Sequence, residues 1–159
     1  MTSLRFKHCQ EESEDRVLIA IQTIKEVKTL HKAPSTFDAT RLIAEAETGQ
    51  NSSNTCVVCK AAGHIKPTEP LETHHVAGRS NFEAVTISAC LSHHQHLSIM
   101  QLKWLVKDTS PENRLASYLF GFSDLFYLMW EETTLNYFQE LSKAFAYRGY
   151  YFRDRSDKA

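Results

Sequence analysis

Leu71-Glu72-Thr73-His74-His75-Val76-Ala77-Gly78-Arg79-Ser80-Asn81 is the stretch on which the fold turns. Two short runs of β-forming residues, around 71–76 and 84–88, flank a segment whose Gly78, Ser80 and Asn81 suit a turn. After Cys90 the apolar residues Leu91, Leu97, Met100, Leu102, Trp104 and Leu105 fall at helical spacing. Strand, turn, strand and helix are therefore expected in that order. Two short strands and one helix bury too little apolar surface to be stable alone, so the unit needs a further brace.

The brace is legible on either side. Cys56-Val57-Val58-Cys59 precedes the stretch and Cys90-Leu91-Ser92-His93 follows it. Two pairs with the same two-residue gap can deliver four soft ligands to one tetrahedral zinc, clamping two elements with a single ion. His64, His94 and His96 are alternatives to His93 as the fourth ligand, and Cys9 stands apart near the start. The plain alternative is that the cysteines are small buried apolar residues. Uneven spacing argues against a disulfide framework. Of the eight histidines, five fall between His74 and His96, a clustering that marks this part of the chain as the place to look for chemistry.

Further out, the chain reads as helix on both flanks. Val17, Ile21, Ile24, Val27 and Leu30 recur every three or four residues across 11–30, as an amphipathic helix requires. A second helix carrying Phe37, Leu42 and Ile43 is expected to be capped by Ser35 or Thr36 and stopped by Gly49. The polar run from Gly49 to Asn54 reads as a linker. On the other side Ser110 can cap a helix opening at Pro111, and Gly121-Phe122-Ser123-Asp124 is expected to divide the aromatic-rich C-terminal region into two helical stretches. The division is thus 1–50 helical, 51–108 metal-braced core and 109–159 helical: an α+β fold.

The chain has 159 residues, 42% hydrophobic and 23% charged, with a net charge of −1, which excludes disordered, collagen-like and membrane classes. No apolar run approaches the roughly 18 to 20 residues that span a bilayer. Charges are mixed through 1–30, where a secretory signal would be apolar. The expected setting is therefore cytoplasmic, without a membrane partner. Near-neutral charge withholds the usual electrostatic sign of a nucleic-acid partner. Only the tail from Arg148 to Arg155 interleaves basic and aromatic residues, and a solvated terminus explains it as well.

His74-His75, then Asn81, then His94, set among Cys56, Cys59 and Cys90 in that order and with Gly78-Arg79 leading to Asn81, resembles the HNH endonuclease family over roughly residues 55–105. The resemblance implies a ββα-metal core with a structural zinc, and metal-dependent hydrolysis of DNA phosphodiester bonds, with double-stranded DNA as the partner. It implies His75 as general base, His74 and His94 as ligands of a catalytic divalent ion, and Asn81 as the residue that fixes the loop and orients His75. Two histidine ligands completed by water and phosphate suit a labile Mg²⁺-, Mn²⁺- or Ni²⁺-type site. Ser98 stands where some members carry a further ligand.

The chemistry is sound on its own terms. Phosphodiester cleavage needs an activated water and a cation to hold the phosphate, and imidazole, with a pKa near 6.5, is suited to the proton transfer. Neighbours on a regular strand point to opposite faces, so His74 and His75 can border one groove only if the strand ends or twists there, and their roles can be exchanged. On the following helix His93 and His94 are turned about 100° apart, letting one reach back to zinc and the other forward. Arg79 can grip a phosphate oxygen or be ordinary surface, and Glu72 can support a ligand imidazole or face solvent. Two other classes of function remain open: a catalytically inactive zinc-stabilised nucleic-acid-binding module, and an interaction adaptor whose aromatic helices dock a partner protein.

Overall fold

The computed structural model describes residues 2–49, 54–64, 69–104 and 110–156, with side chains from Glu12 onward. Its elements are α1 (Thr2–Leu30), α2 (Ala39–Thr48), α3 (Val57–Ala61), β1 (Leu71–His75), β2 (Thr86–Cys90), α4 (Leu91–Gln101), α5 (Pro111–Thr133) and α6 (Asn136–Ser156). The fold is mixed α/β, mostly helical, with one small sheet. Cys9 and the linker residues 50–53 lie outside the described side chains. No helix among the described residues is long and apolar enough to cross a membrane.

The two strands pair antiparallel, with Leu71 opposite Cys90 and His75 opposite Thr86. The second strand was expected at 84–88 but begins at Thr86, because the connection uses more chain than a tight turn would. Val76 donates its N–H to Val85 O, Phe82 to Gly78 O and Val85 to Phe82 O, so 76–85 form a self-bonded loop. Gly78 there has a φ of +81°, open to glycine at little cost. Cys90 ends β2 and is also the N-cap of α4, so strand and helix meet with no linker. That helix stops at Gln101, short of the expected Trp104, and Leu105 is outside the described residues.

The flanks depart from expectation in instructive ways. α2 is capped by Asp38, whose carboxylate accepts the N–H groups of Thr40 and Arg41, instead of by Ser35 or Thr36. Phe37 therefore precedes the helix and packs edge-on against Phe138, with ring centroids 4.9 Å apart. Gly49 ends α2 in the left-handed conformation, as expected. The buried line of α1 is Ala20, Thr23, Ile24 and Val27, while Leu30 is exposed.

The largest correction concerns Gly121, which does not divide the C-terminal region. α5 runs unbroken through it, capped by the Ser110 hydroxyl, which accepts Asn113 N–H. The break falls at Thr134, in the left-handed conformation at φ +56°. Glycine is needed at 121 because α5 lies against the chain just beyond β1: a Cβ there would sit 1.9 Å from Val76 O. The α5–α6 hairpin carries the aromatic core, with Phe122, Phe126, Phe138 and Phe145 fully buried. One apolar cluster runs from Ile24 and Ile43 through Val58 and Ile87 to Phe145, crossing all three expected regions.

Candidate metal centre

Cys56 caps α3, Cys59 lies within it, Cys90 ends β2, and His93 is in the first turn of α4. The fold brings all four ligand atoms within 4.8 Å of one another. His93 Nδ1 stands 3.4 Å from Cys56 Sγ, 3.6 Å from Cys59 Sγ and 3.1 Å from Cys90 Sγ, and Cys59 Sγ is 3.9 Å from Cys90 Sγ. Zn–S and Zn–N bonds of about 2.3 and 2.0–2.1 Å in a tetrahedron put such atoms roughly 3.5–3.8 Å apart, so the donor set and its spacing fit a metal ion such as zinc.

Electrostatics around the thiols point the same way. Burial opposes ionisation of Cys56, but the adjacent His93 ring and the backbone groups of Cys59 and Cys90 outweigh it and bring the thiol down to about 6. Burial, reinforced by the Cys56 sulfur, pushes Cys59 up to about 12. Burial likewise raises Cys90, and the contact with Cys56 raises His93. Crowding of the three sulfurs thus favours a single thiolate, at Cys56, and a cation at their centre would let the other two ionise as well.

His93 and His94 diverge on α4 as the helical spacing predicts. While His93 turns to the sulfurs, His94 faces His74 from β1, with ring centroids 5.4 Å apart and planes at 82°. His74 is buried, and burial, with the charges of His94 and His75 adding to it, holds its pKa down to about 4. Its ring is therefore a neutral lone-pair donor at working pH. Glu72 Oε2 lies 2.9 Å from His94 Nδ1, engaging one of the two ring nitrogens. Ser98 is used locally, its hydroxyl donating to His94 O.

His75 is the last residue of β1. Its Nδ1 is 3.0 Å from Glu83 O, so in the tautomer with hydrogen on Nδ1 it donates to that carbonyl and presents an Nε2 lone pair. Asn81 is buried and donates its side-chain N–H to Ala77 O at 3.0 Å, the side-chain-to-backbone bond its expected role calls for. Arg79 is exposed at the loop tip, 4.0 Å from Glu83 Oε1. His64 and His96 are exposed, and neither joins the four-ligand cluster.

Several supporting residues gave no sequence signal. Gln101, at the end of α4, donates to His75 O at 2.9 Å and to Val76 O at 3.3 Å, pinning the end of β1. Arg114 of α5 donates to Asn81 O through Nε and Nη2, at 3.3 and 3.0 Å, and pairs with Glu12 at 3.2 Å. Its guanidinium and that of Arg16 stand 4.6 and 4.2 Å from the centroid of Phe82. Arg16 is itself held by both oxygens of Glu47. Glu69 caps α4 by accepting the N–H and hydroxyl of Ser92. A Glu or Arg tens of residues away carries no local pattern that would reveal such a partner.

No protein-family model, curated protein or solved structure matches this chain. Side-chain geometry therefore carries the functional reading.

Proposed function

We propose that the chain is a metal-dependent endonuclease of the HNH type, in which β1, β2 and α4 form the ββα-metal core and Cys56, Cys59, Cys90 and His93 hold a structural zinc. The observation that carries this reading is the approach of His74 to His94, with His75 next to His74 in sequence at the end of β1 and its Nδ1 engaged by a backbone carbonyl. Two imidazoles with one neutral, buried ring and one ring backed by a carboxylate are a suitable donor pair for a divalent ion of the Mg²⁺, Mn²⁺ or Ni²⁺ kind. That ion, when bound, supplies a grip on the scissile phosphate and neutralises charge on the departing oxygen.

The chain's own groups do the rest. His75 accepts a proton from the attacking water at Nε2, while Glu83 O keeps the Nδ1 hydrogen in place and steadies the imidazolium that forms. Asn81 holds the 77–81 turn, part of the same 76–85 loop as the Glu83 carbonyl on which His75 rests. Arg79, exposed at that turn, is placed to meet a phosphate oxygen of DNA. Water attack on phosphorus breaks the P–O3′ bond, leaving 5′-phosphate and 3′-hydroxyl ends.

The test is nicking of supercoiled plasmid by purified protein with Mg²⁺, Mn²⁺ or Ni²⁺. Cutting is expected with at least one ion, and His75→Ala is expected to lower its rate by about 10²–10⁴-fold without changing thermal melting. Undiminished cutting by His75→Ala, or none in any metal, sinks the proposal. DNA binding without cleavage would leave the inactive binding module as the better account.

A further inference from the structure

The four-ligand centre has a fifth participant. His93 presents Nδ1 to the three sulfurs, and its other nitrogen, Nε2, lies 3.2 Å from Glu132 Oε1 on α5. A cysteine in this position would end at the ion, whereas an imidazole has a second nitrogen that can carry the interaction onward. Glu132 occupies an otherwise unfavourable place. It is in the last turn of α5, a helix with no basic residue in that turn, next to another acid, Glu131. Negative charge is disfavoured at a helix C-terminus, so the contact with His93 offsets a local cost. The contact joins residues 39 apart in sequence.

We infer that Glu132 is an outer-sphere partner of the metal centre, accepting the Nε2–H of His93 and so coupling loading of the ion to docking of the C-terminal hairpin. The inference rests on the assignment of Cys56, Cys59, Cys90 and His93 as metal ligands. A carboxylate on the far nitrogen fixes the ring's tautomer and orientation and makes the near nitrogen a stronger donor; losing such a partner weakens metal binding by about 10–100-fold. Because the Glu132 side chain is 43% exposed, water competes for it, and the effect belongs at the lower end of that range.

The experiment is zinc competition against a chromophoric chelator, on the full chain. Glu132→Gln is expected to raise the Kd for Zn²⁺ about tenfold, while the metal-free chain melts at the same or a slightly higher temperature because an acid has left the helix end. In a His93→Cys background, where nothing extends beyond the ion, Glu132→Gln is expected to leave zinc affinity unchanged. An independent readout is the ¹⁵N histidine spectrum of the zinc-loaded protein: the His93 Nε2–H signal is expected to be slow to exchange in the parent and lost in Glu132→Gln. Parent-like affinity in Glu132→Gln, or an equal loss in both backgrounds, overturns the inference. Failure of the parent itself to bind zinc overturns the metal-centre assignment beneath it.

Discussion

The central unit and the C-terminal hairpin are held together by different forces. In α5–α6, Phe122, Phe126 and Phe145 interlock, with the Phe126 and Phe145 ring centroids 5.2 Å apart. Burial of that kind needs no partner beyond the chain itself. In the central unit two five-residue strands carry a single helix; Val58, Ile87 and Leu97 join the apolar cluster shared with the hairpin, and polar ties are added to it: a thiol and imidazole cluster at one end, Gln101 on the end of β1, and Arg114 on the loop. The hairpin is expected to depend mainly on aromatic burial, whereas the unit bearing the histidines is expected to depend also on the four-ligand cluster and its neighbours. The proposed site lies on the part that carries these added polar ties.

The harshest way to break this contrast is to remove the metal. Chelation, or Cys56→Ser, is expected to unfold the 54–104 unit while α5 and α6 remain helical, since zinc binding in small sites of this kind is worth on the order of 10 kcal/mol. Before heating, the dispersed amide signals of β1, β2 and α4 should be lost, and thermal melting should then show a smaller transition belonging to the helices alone. A single unchanged transition after chelation would show that the aromatic core alone carries the strands and that the contrast is false.

Next in size is a substitution where the two regions touch. In an ordinary helix interior Gly→Ala is stabilising by up to about 1 kcal/mol. At Gly121 the added Cβ would lie 1.9 Å from Val76 O and 2.6 Å from Val76 C, backbone atoms that cannot rotate away. Gly121→Ala is therefore expected to reverse the usual sign, destabilising the chain by about 3 kcal/mol in urea unfolding through forced overpacking. It should also shift His75, which ends β1 immediately before Val76. A stability equal to or above the parent would mean that α5 and the end of β1 do not touch as described.

Gly121 also shows why parts of the molecule were legible in sequence and others not. Spacing alone was enough for what is local: the pairs Cys56–Cys59 and Cys90–His93, the divergence of His93 from His94 on one helix, the Ser110 cap, and the glycine stop at Gly49. A glycine between aromatics reads locally as a break, yet its use is a close approach to Val76, 45 residues earlier and just beyond β1, which no periodicity encodes. The start of β2 was misplaced because the loop bonds to itself instead of turning tightly. Asp38 displaced Ser35 and Thr36 as cap because a carboxylate directly before the helix meets two N–H groups at once. Of the candidate site, the ligands and histidines were readable because their chemistry is uncommon. Glu132, Gln101, Arg114 and Glu69 were not, because acids, amides and arginines are ordinary surface residues until the fold shows what they touch.

The mildest intervention sharpens the contrast from within the hairpin. Asp124 is a polar residue of α5 that accepts the Trp104 indole N–H across the seam with the end of α4. Burial raises its carboxyl to about 6 from the usual 3.8, against the opposing effects of the Trp104 bond and the Lys103 charge. Between those values the folded chain keeps a proton that the unfolded chain has released, so stability falls as pH rises from about 4 to 6 and stays reduced above that. The shift of about two units corresponds to roughly 3 kcal/mol at most. His96, Lys103, Tyr127 and Glu131 line the same hollow, so a comparison of parent and variant isolates Asp124 better than the parent's curve alone. Asp124→Asn removes the charge and retains an oxygen for the indole. Urea unfolding across pH is expected to show this variant about 2–3 kcal/mol more stable than the parent at pH 7, with the difference vanishing at pH 4 and below. A difference that did not change with pH would mean that the carboxylate is solvated, and that the seam between hairpin and central unit is wetter than its packing implies.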